Sequence, residues 1–332
     1  MTANMRPIRW GILATGAIAG DFTEDLALVP GAEVFAVASR SQSSADAFAA
    51  RHGIPHAYGS WEAMARDERI DVVYVATPHS AHHDAASLCL DAGRAVLCEK
   101  PVTMNAAEAR ALVELARKRG VFLMEAMWMR CNPAIRKVVS LVADGALGRL
   151  RTVQADFGIA GPFDPGHRLR DPALGGGALL DLGVYPVSLA HLLLGAPDQV
   201  RAWSTRTPEG VDANTGLLLG YDGGLDDGAL AALSCGIVAG TPCRASIVGE
   251  LGRIELPPVF FRPDHFTLFR GEEDAVGERF DVPYTGRGFV HEAEEVMRCL
   301  REGLTESPLM PWQASVEVME ILDEARRAAS VS

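Results

Sequence analysis

A lysine follows a short apolar run in the stretch AVLCEKP, where Glu99 and Lys100 stand directly before Pro101. Such a run is typical of a buried strand, and in open α/β sheets ligands bind beyond the carboxyl ends of strands. An ammonium held there can donate a hydrogen bond to a substrate oxygen and stabilise an alkoxide. An ordinary surface lysine after a strand is the alternative, and this stretch by itself leaves both open.

The first apolar run leads into a turn that could hold a phosphate group. In IRWGILATGAIAGDF, the pattern Ala14-x-Gly16-x-x-Ala19 approximates the G-x-G-x-x-G/A motif, with alanine at its first position. Gly16 would let the backbone approach a pyrophosphate, and the N-terminus of the next helix would supply N–H groups. Similar turns occur in folds that bind nothing. The predicted cofactor contacts here are Gly11, Ala14, Gly16, Ala17 and Ile18.

The end of the second apolar run favours NADP over NAD. Enzymes that use NAD carry Asp or Glu about 20 residues after the glycine turn, whereas EVFAVASR ends in Ser39 and Arg40. A guanidinium beside a hydroxyl suits a 2′-phosphate, because it can donate two parallel hydrogen bonds. The alternative is that Arg40 merely faces solvent.

Three histidines follow the apolar run of VVYVATPHSAHH. His82 and His83 are adjacent and would point in different directions on a helix, and no nearby carboxylate or thiol completes a metal site, so we expect no metal. The better functional interpretation places one histidine at the nicotinamide end of a cofactor site, with helix-surface histidines as the equal alternative. The predicted cofactor contacts at this strand end are Thr77, Pro78, His79 and His82.

These residues need strands and helices that bring them to one edge of a sheet. Apolar runs within residues 7–130 alternate with helix-like segments, as in βαβ units. Runs without polar alternation are typical of parallel strands covered on both faces. The sequence therefore predicts an α/β domain with a doubly wound parallel sheet over residues 1–130. Asn105 as N-cap and Gly120 as the stop mark one of its helices.

The pattern changes after about residue 149. Strand-like segments such as TGLLLGYD and RASIVGE are joined by turns rich in Gly and Asp, and two helical tracts close the chain. We predict a second, α+β domain over residues 131–332 with an open, mostly antiparallel sheet, whose closing helix can pack back on the first domain. Because HFTLFRG and VFFRP add apolar surface, we predict a homodimer formed through this sheet.

Composition excludes some classes of protein. The 332 residues include 31 Lys and Arg against 43 Asp and Glu, a net charge of −12, which disfavours nucleic acid as a partner. The N-terminal MTANMRPIRW has no apolar signal core, and no window approaches the ~18 uninterrupted apolar residues of a membrane span. The six cysteines lack metal-site spacing, so reduced thiols are expected. We predict a cytoplasmic enzyme.

Four stretches in order, GILATGAIA, VATPHSAH, VLCEKP and GGALLDLGVYPV, resemble the Gfo/Idh/MocA family of oxidoreductases over essentially the whole chain. The resemblance implies an N-terminal Rossmann domain. YGSWEAMA, FLMEAMWMRCNP and ESPLMP narrow it to the branch of dimeric dihydrodiol dehydrogenases, which also includes NADP-dependent D-xylose dehydrogenases. The departures are Ala14, where many relatives have Gly, and the loop AGPFDPGHRLRDPALGGG at residues 160–177.

The resemblance also implies a catalytic pair. In this family the lysine of Glu-Lys-Pro works with a residue of a D-x-G-x-H/Y segment, which here runs from Asp181 to Tyr185. By similarity Tyr185 is the general acid/base, with its phenol pKa lowered from ~10 by the cation of Lys100. Spacing alone favours a packed helix tyrosine. Asp181 lies on the same helix face and is expected to bind substrate or tune the pair, while Glu99 orients an amide or the backbone nearby.

Three further residues, Trp128, Arg130 and Phe157, are predicted to wall a substrate cleft between the domains. Core packing is the equal alternative for Phe157, and Trp128 is also predicted to contact the cofactor. The resulting hypothesis is an NADP-dependent oxidoreductase that transfers hydride between nicotinamide and a secondary alcohol or hemiacetal carbon of a vicinal diol or cyclic sugar. The competing hypothesis is a non-catalytic NAD(P)-binding sensor or regulator, against which the presence of both Lys100 and Tyr185 argues.

Overall fold

The computed structural model describes residues 6–161, 163, 164, 166–223, 228–271 and 276–330. The chain divides into two compact units. The first contains Met1–Trp128 and Thr285–Ser315, and the second contains Met129–Tyr284 and Val316–Ser332. The first break lies two residues before the sequence-based boundary at residue 130. The main difference is Thr285–Ser315, which the sequence analysis assigned to the second domain.

The first unit is built on a six-stranded parallel sheet, which confirms the predicted fold class. The strand order, β3-β2-β1-β4-β5-β6, reverses direction beside β1, and open sheets of this kind bind ligands at that point. β4 and β5 are buried at every residue, which explains why their sequences show no polar alternation. The strands are β1 Ile8–Leu13, β2 Ala32–Ala38, β3 His56–Tyr58, β4 Val72–Val75, β5 Ala95–Glu99 and β6 Leu123–Ala126.

The helices that connect these strands begin and end at local sequence signals. The side chain of Asn105 accepts a hydrogen bond from the N–H of Glu108, and Gly120 ends the same helix with a φ of 64°. Ser41 and Gly53 have the same two roles in an earlier helix. The helices are α1 Ala17–Leu26, α2 Gln42–His52, α3 Trp61–Ala65, α4 His82–Asp91 and α5 Ala106–Arg119.

Hydrogen bonds tie Thr285–Ser315 to the first unit. The carboxylate of Asp25 in α1 accepts the backbone N–H of Phe289 at 2.9 Å, and the indole of Trp312 donates to the carbonyl of Leu123 at 2.9 Å. These bonds join residues that are far apart in the sequence, so no local change of pattern marks them. This segment contains α8 Val290–Arg301 and the start of α9 Trp312–Ser330.

The second unit carries an eight-stranded sheet in the order β14-β13-β12-β11-β7-β10-β9-β8. Among the strand pairs that the structure describes, β7 and β10 are parallel and the others are antiparallel, so the sheet is mostly antiparallel, as predicted. Its strands are β7 Leu150–Gly158, β8 Gln199–Arg206, β9 Asp212–Tyr221, β10 Ala229–Gly236, β11 Ala245–Gly249, β12 Gly252–Leu256, β13 His265–Arg270 and β14 Glu278–Asp281. Its helices are α6 Pro133–Ala143 and α7 Val184–Leu194, the latter preceded by a π-helical turn at Leu179–Gly183.

One face of this sheet is exposed and apolar near one edge. Trp203 in β8 and Leu218 in β9 are 61% and 55% exposed, and Leu230 in β10 is 42% exposed. The sheet therefore has an open face, as predicted, but the apolar residues on it are not those that the sequence analysis named. The side chains cited from VFFRP and HFTLFRG are mostly buried, namely Phe260, Phe261, Phe266 and Leu268.

One stretch, Pro172–Leu194, is long and apolar enough to cross a membrane by length and composition alone, although the sequence analysis expected none. In the folded chain, 83% of its apolar window is buried inside the protein. Such burial is typical of a core helix that is apolar on all sides. The stretch therefore forms part of the interior of the second unit.

Candidate active site

The carboxyl ends of three neighbouring strands bring several predicted cofactor residues to one edge of the first sheet. Leu13 of β1 pairs with Val75 of β4, and Val75 pairs with Cys98 of β5. The turn after β1, the loop after β4 and Lys100 after β5 therefore lie side by side. This is the edge at which doubly wound sheets bind ligands.

The turn after β1 keeps the shape of a phosphate-binding glycine turn although its first glycine is replaced. Ala14 has a φ of 112°, a region that residues other than glycine rarely adopt. Gly16 is the N-cap of α1, and a Cβ atom built on it would meet no atom within 4 Å. The backbone here is open to an incoming group, as the pyrophosphate of a dinucleotide requires. Ala17 is exposed and Ile18 is half-buried beside it.

Gly11 does not belong to this turn. It lies inside β1 and is buried, and a Cβ atom there would lie 3.2 Å from the sulfur of Met64 and 3.3 Å from Cγ2 of Ile70. Such contacts are tighter than ordinary side-chain packing allows. The close packing of Met64 and Ile70 therefore accounts for a glycine at position 11, and its predicted cofactor contact stays a prediction.

The end of β2 presents the residues predicted to bind a 2′-phosphate. The backbone N–H of Ser39 donates to the carbonyl of Tyr58 at 3.0 Å, which fixes this residue to β3. The side chain of Arg40 is exposed, and we find no acceptor for its guanidinium within the described residues. A guanidinium in this state suits an anion such as a phosphate.

The loop after β4 contains a buried hydroxyl group that lacks a partner. Thr77 is 6% exposed, and its Oγ1 atom makes no hydrogen bond to the part of the chain that the structure describes. Because buried polar atoms are nearly always hydrogen-bonded, this atom fits a site that a bound molecule completes. Pro78 is the residue between Thr77 and a buried His79, whose ring centroid lies 5.6 Å from that of His82.

His82, which was predicted to contact the cofactor, lies between two loops and contacts both. It is fully buried, with Nδ1 2.8 Å from the carbonyl oxygen of Pro101 and Nε2 2.9 Å from that of Thr77. Burial lowers the pKa of His82 from 6.5 to about 3, and the nearby His79 and Lys100 act in the same direction. A neutral ring carries one N–H, so it donates to one of the two carbonyl groups.

Lys100 stands at the end of β5, as predicted, and is half-buried, with a cis peptide bond to Pro101. The carboxylate of the buried Glu99 accepts the backbone N–H of Lys100 at 3.1 Å and the hydroxyl of Tyr74. Burial raises the pKa of Glu99, and the opposing effects of Lys100 and Tyr74 are smaller. A carboxylate therefore ends this buried strand because it fixes the backbone on which Lys100 stands.

Within the described residues, no group of three or more His, Cys, Asp or Glu side chains could hold a metal ion. His83 contacts Asp84, with 3.0 Å between Nδ1 and Oδ1, on the surface of α4. None of the six cysteines forms a disulfide bond with another cysteine of the described residues, and five of them are buried.

Tyr185 lies in an aromatic cluster of the second unit. It is in the first turn of α7 and is 6% exposed, with its ring centroid 4.5 Å from that of Phe261 and 5.6 Å from that of Phe157. The half-buried ring of Phe157, in β7, also stacks on Phe261 at 4.8 Å. Two residues that were predicted to act on substrate are thus brought together in this unit.

Asp181 is buried in the π-helical turn before α7 and faces a cation. Nη1 of Arg168 donates to Oδ1 of Asp181 at 3.1 Å, and Nη2 donates to Oδ2 at 3.0 Å. Each oxygen of the carboxylate therefore accepts one arm of the guanidinium. The sequence analysis did not identify Arg168, although an arginine inside the unmatched loop 160–177 was a signal that could have been used.

Two other predicted substrate residues have packing partners. Arg130 is buried, its Nε donates to Oγ of Ser188 at 3.1 Å, and its Nη2 lies 3.0 Å from Nδ1 of His191. The guanidinium therefore braces α7, and the predicted role of Arg130 toward a substrate stays a prediction. In the first unit, the indole of Trp128 packs on the ring of Phe289 with centroids 4.5 Å apart.

Comparisons with known proteins match both halves of the chain. A family model described as an oxidoreductase family with an NAD-binding Rossmann fold matches residues 8–127, and one described as the GFO/IDH/MocA C-terminal domain matches residues 135–255. The trans-1,2-dihydrobenzene-1,2-diol dehydrogenase of Bos taurus is 40% identical over 335 residues. The protein of that name from Homo sapiens is 39% identical over 337 residues. Both alignments cover 98% of this chain and 98% of the relative.

Solved structures are similar over nearly the whole chain. A 3-ketoreductase from Actinomadura kijaniata in complex with NADP and TDP-benzene is 29% identical, with a TM-score of 0.86, and covers 97% of this chain and 98% of its own. An aldose-aldose oxidoreductase from Caulobacter crescentus complexed with glycerol is 25% identical, with a TM-score of 0.88 and 98% coverage of both chains. The relatives and the solved structures thus share both halves of the chain, and their names describe oxidation or reduction.

Proposed function

The chain belongs to the Gfo/Idh/MocA family of oxidoreductases, and we propose that it is an NADP-dependent dehydrogenase of vicinal diols or cyclic sugars. The curated relatives are named for a dihydrodiol, and a solved neighbour is named for aldoses. Both kinds of molecule present adjacent hydroxyl groups on a ring. The reaction moves a hydride between the nicotinamide and the carbon that carries a secondary alcohol or hemiacetal hydroxyl.

The observation that carries this proposal is the edge shared by β1, β4 and β5. An open turn at Gly16, the unpartnered hydroxyl of Thr77 and the ammonium of Lys100 follow three neighbouring strands there. Gly16 and Ala17 would hold the pyrophosphate at the N-terminus of α1, and Thr77 would bind closer to the nicotinamide. When bound, the nicotinamide supplies the site that accepts or donates the hydride.

We favour NADP over NAD because of the residues after β2. Arg40 offers an exposed guanidinium beside Ser39, at the place where a carboxylate would bind the ribose hydroxyls of NAD. A carboxylate there would repel a 2′-phosphate, whereas Arg40 attracts it. The solved 3-ketoreductase, which has the same fold, holds NADP.

In this proposal, Lys100 and Tyr185 act on the reacting oxygen. Lys100 donates a hydrogen bond to it, and Oη of Tyr185 accepts the hydroxyl proton when the alcohol is oxidised. An ammonium beside a phenol favours the deprotonated form that such a base needs. Structures of the 3-ketoreductase also exist with one tyrosine changed to phenylalanine and with one lysine changed to alanine.

The experiment mixes the purified protein with NADP⁺ and a panel of trans-dihydrodiols, aldoses and polyols, and follows the absorbance of NADPH. We expect turnover by the wild type and a loss of at least ~100-fold in kcat for Lys100→Met and Tyr185→Phe, with binding of NADP retained. Full turnover by both variants would contradict the assigned roles. Binding of NADP without turnover of any substrate would instead favour a sensor or regulator.

We also propose that the protein is a cytoplasmic homodimer formed through the open sheet face of the second unit. The apolar patch of Trp203, Leu218 and Leu230 lies on three neighbouring strands, and its extended surface can pair with a second copy. Cysteines that form no disulfide bonds within the described residues suit a reducing compartment. Sedimentation should show a dimer for the wild type and a monomer for Trp203→Glu, while a wild-type monomer at micromolar concentration would contradict the proposal.

A further inference from the structure

The loop at residues 166–178, just before the turn that carries Asp181, has a fixed shape because its glycines pack against its own backbone. The N–H of Gly176 donates to the carbonyl of Asp171 at 2.9 Å, and that of Gly177 donates to the carbonyl of Leu169 at 2.9 Å. Gly177 also has a φ of 110°. A Cβ atom on Gly176 would lie 2.8 Å from three carbonyl oxygens, those of Arg168, Leu169 and Asp171. The path of the chain thus requires glycine at positions 176 and 177.

This loop presents two arginines to different partners. Arg168 binds both oxygens of Asp181. Arg170 binds both oxygens of Glu209, at 3.1 and 2.5 Å, and donates to the carbonyl of Phe163 at 2.9 Å. Arg170 therefore anchors the loop to the connection between β8 and β9, which carries Glu209. Arg168 connects the loop to the turn that leads into Tyr185.

The two partners of the first pair differ in exposure. The side chain of Asp181 is 6% exposed, whereas that of Arg168 is 52% exposed. A carboxylate buried to this extent needs a cation or several donors, because desolvation of an unpaired charge is costly. A carboxylate oxygen can accept more than one hydrogen bond, so the ion pair does not prevent Asp181 from accepting a hydroxyl group of a ligand.

We propose that Arg168 is a positioning residue that determines specificity for a second hydroxyl group: it orients the Asp181 carboxylate to accept the hydroxyl adjacent to the reacting one. This inference rests on the proposed function, because it names the part of a diol or sugar that Asp181 recognises. Asp181 stands four residues before Tyr185 in a continuous helical segment, which places the two side chains on the same side. A site built to bind a hydroxyl rejects analogues that lack it, because its buried polar group is then left unpaired.

The test compares Arg168→Ala, Asp181→Asn and the double variant on a vicinal diol and on the matching cyclic alcohol with one hydroxyl group. We expect Arg168→Ala to lower kcat/KM for the diol at least about tenfold, because a hydrogen bond to a charged group is lost. The value of kcat/KM for the mono-alcohol should fall less. The double variant should be no worse than Asp181→Asn, because both changes remove the same interaction. The dissociation constant of NADP should not change in any of them.

Arg170→Ala is the matched control, since it loosens the same loop without touching Asp181, and it should leave the diol preference unchanged. Because Arg168 is half exposed, millimolar ethylguanidinium should restore part of the diol activity of Arg168→Ala but not that of the double variant. If Arg168→Ala fails to fold, Arg168→Gln, which keeps much of the side chain but not its charge, carries the same comparison of diol and mono-alcohol.

An unchanged preference for the diol in Arg168→Ala would overturn this inference, whatever Asp181→Asn shows, while the proposed function stands. The same conclusion would follow if Arg170→Ala lost the preference equally, because the effect would then come from the loop as a whole. A wild-type protein that oxidises no diol or sugar would overturn the proposed function, and this inference with it.

Discussion

The Nδ1 atom of His82 lies 2.8 Å from the carbonyl oxygen of Pro101, the residue that follows Lys100. The other ring nitrogen lies 2.9 Å from the carbonyl oxygen of Thr77. One fully buried imidazole thus joins the loops after β4 and β5 and helps to fix the position of Lys100.

The stability of the protein should decrease as the pH is lowered below 6.5 in a way that depends on His82. Burial lowers the pKa of His82 to about 3, so between pH 6.5 and about 3 the unfolded chain binds a proton that the folded protein does not. The contribution of the neutral His82 side chain to the free energy of unfolding is therefore fully present above pH 6.5. Below pH 6.5 it decreases by ~1.4 kcal/mol per pH unit. Denaturant unfolding at about pH 7 and about pH 5 should show a smaller loss for His82→Gln than for the wild type. His83→Gln, at the helix surface, should keep the wild-type slope, and equal slopes in all three proteins would contradict the prediction.

Replacing Ala14 by glycine should stabilise the protein. Ala14 has a φ of 112°, where the Cβ atom of an L-residue is strained by about 1–2 kcal/mol. Glycine removes that strain and increases the entropy of the unfolded chain by less, so we expect a gain of about 1 kcal/mol in the free energy of unfolding. Ala17→Gly is the control, because Ala17 lies in the first turn of α1, where glycine should cost about 0.5–1 kcal/mol. A loss of stability in Ala14→Gly would contradict the strain argument.

The elements and the sheet edge were predictable because their signals are local. Asn105 and Gly120 mark the ends of α5 by hydrogen bonds to residues three or four positions away. The uninterrupted apolar runs predicted buried parallel strands, and such strands necessarily bring Thr77 and Lys100 to one edge. The motif also identified Gly16 correctly as an open helix N-terminus.

Contacts between distant segments could not be predicted from those signals. Nothing local indicates that Arg130 contacts Ser188, 58 residues later, or that Arg168 contacts Asp181. Gly11 shows a different limit of prediction from sequence, because a glycine inside a strand is compatible with close packing as well as with a cofactor turn. The close approach of Met64 and Ile70, which explains this glycine, is visible only in the structure. The sequence alone therefore predicts the strand ends that meet at the sheet edge, whereas the side-chain contacts that support them depend on the path of the chain.

Arg40→Ala should weaken binding of NADP without affecting NAD. Arg40 is exposed at the end of β2, and its guanidinium would bind the 2′-phosphate that only NADP carries. Loss of a charge-assisted contact of this kind predicts at least about a tenfold rise in the dissociation constant of NADP. Fluorescence titration with both nucleotides measures the effect. Arg51→Ala, at an exposed position in the last turn of α2, should bind both nucleotides as the wild type does. Unchanged affinity for NADP in Arg40→Ala would exclude Arg40 from the cofactor site.

Glu292 is a fully buried residue of α8 whose two carboxyl oxygens have no hydrogen-bond partner within the described residues. Burial raises the pKa of Glu292 well above its ordinary value of 4.5, and the nearby Glu99 and Asp25 add to this. The folded protein therefore keeps a proton that the unfolded chain releases above pH 4.5. The associated stability is present below that pH and is lost as the pH rises toward the folded pKa.

Glu292→Gln should consequently stabilise the protein at alkaline pH. The neutral amide has the size of the protonated acid and needs no proton, so we expect a higher free energy of unfolding than that of the wild type near pH 8 and almost no difference near pH 4.5. Glu295→Gln is the control on the same helix. The carboxylate of Glu295 accepts from Nε of Arg298 at 2.8 Å and from the hydroxyl of Ser307, and its replacement should reduce stability at both pH values. If Glu292→Gln were less stable than the wild type near pH 8, the carboxylate would have to be paired in the folded protein, since only a compensated charge is favoured at that depth.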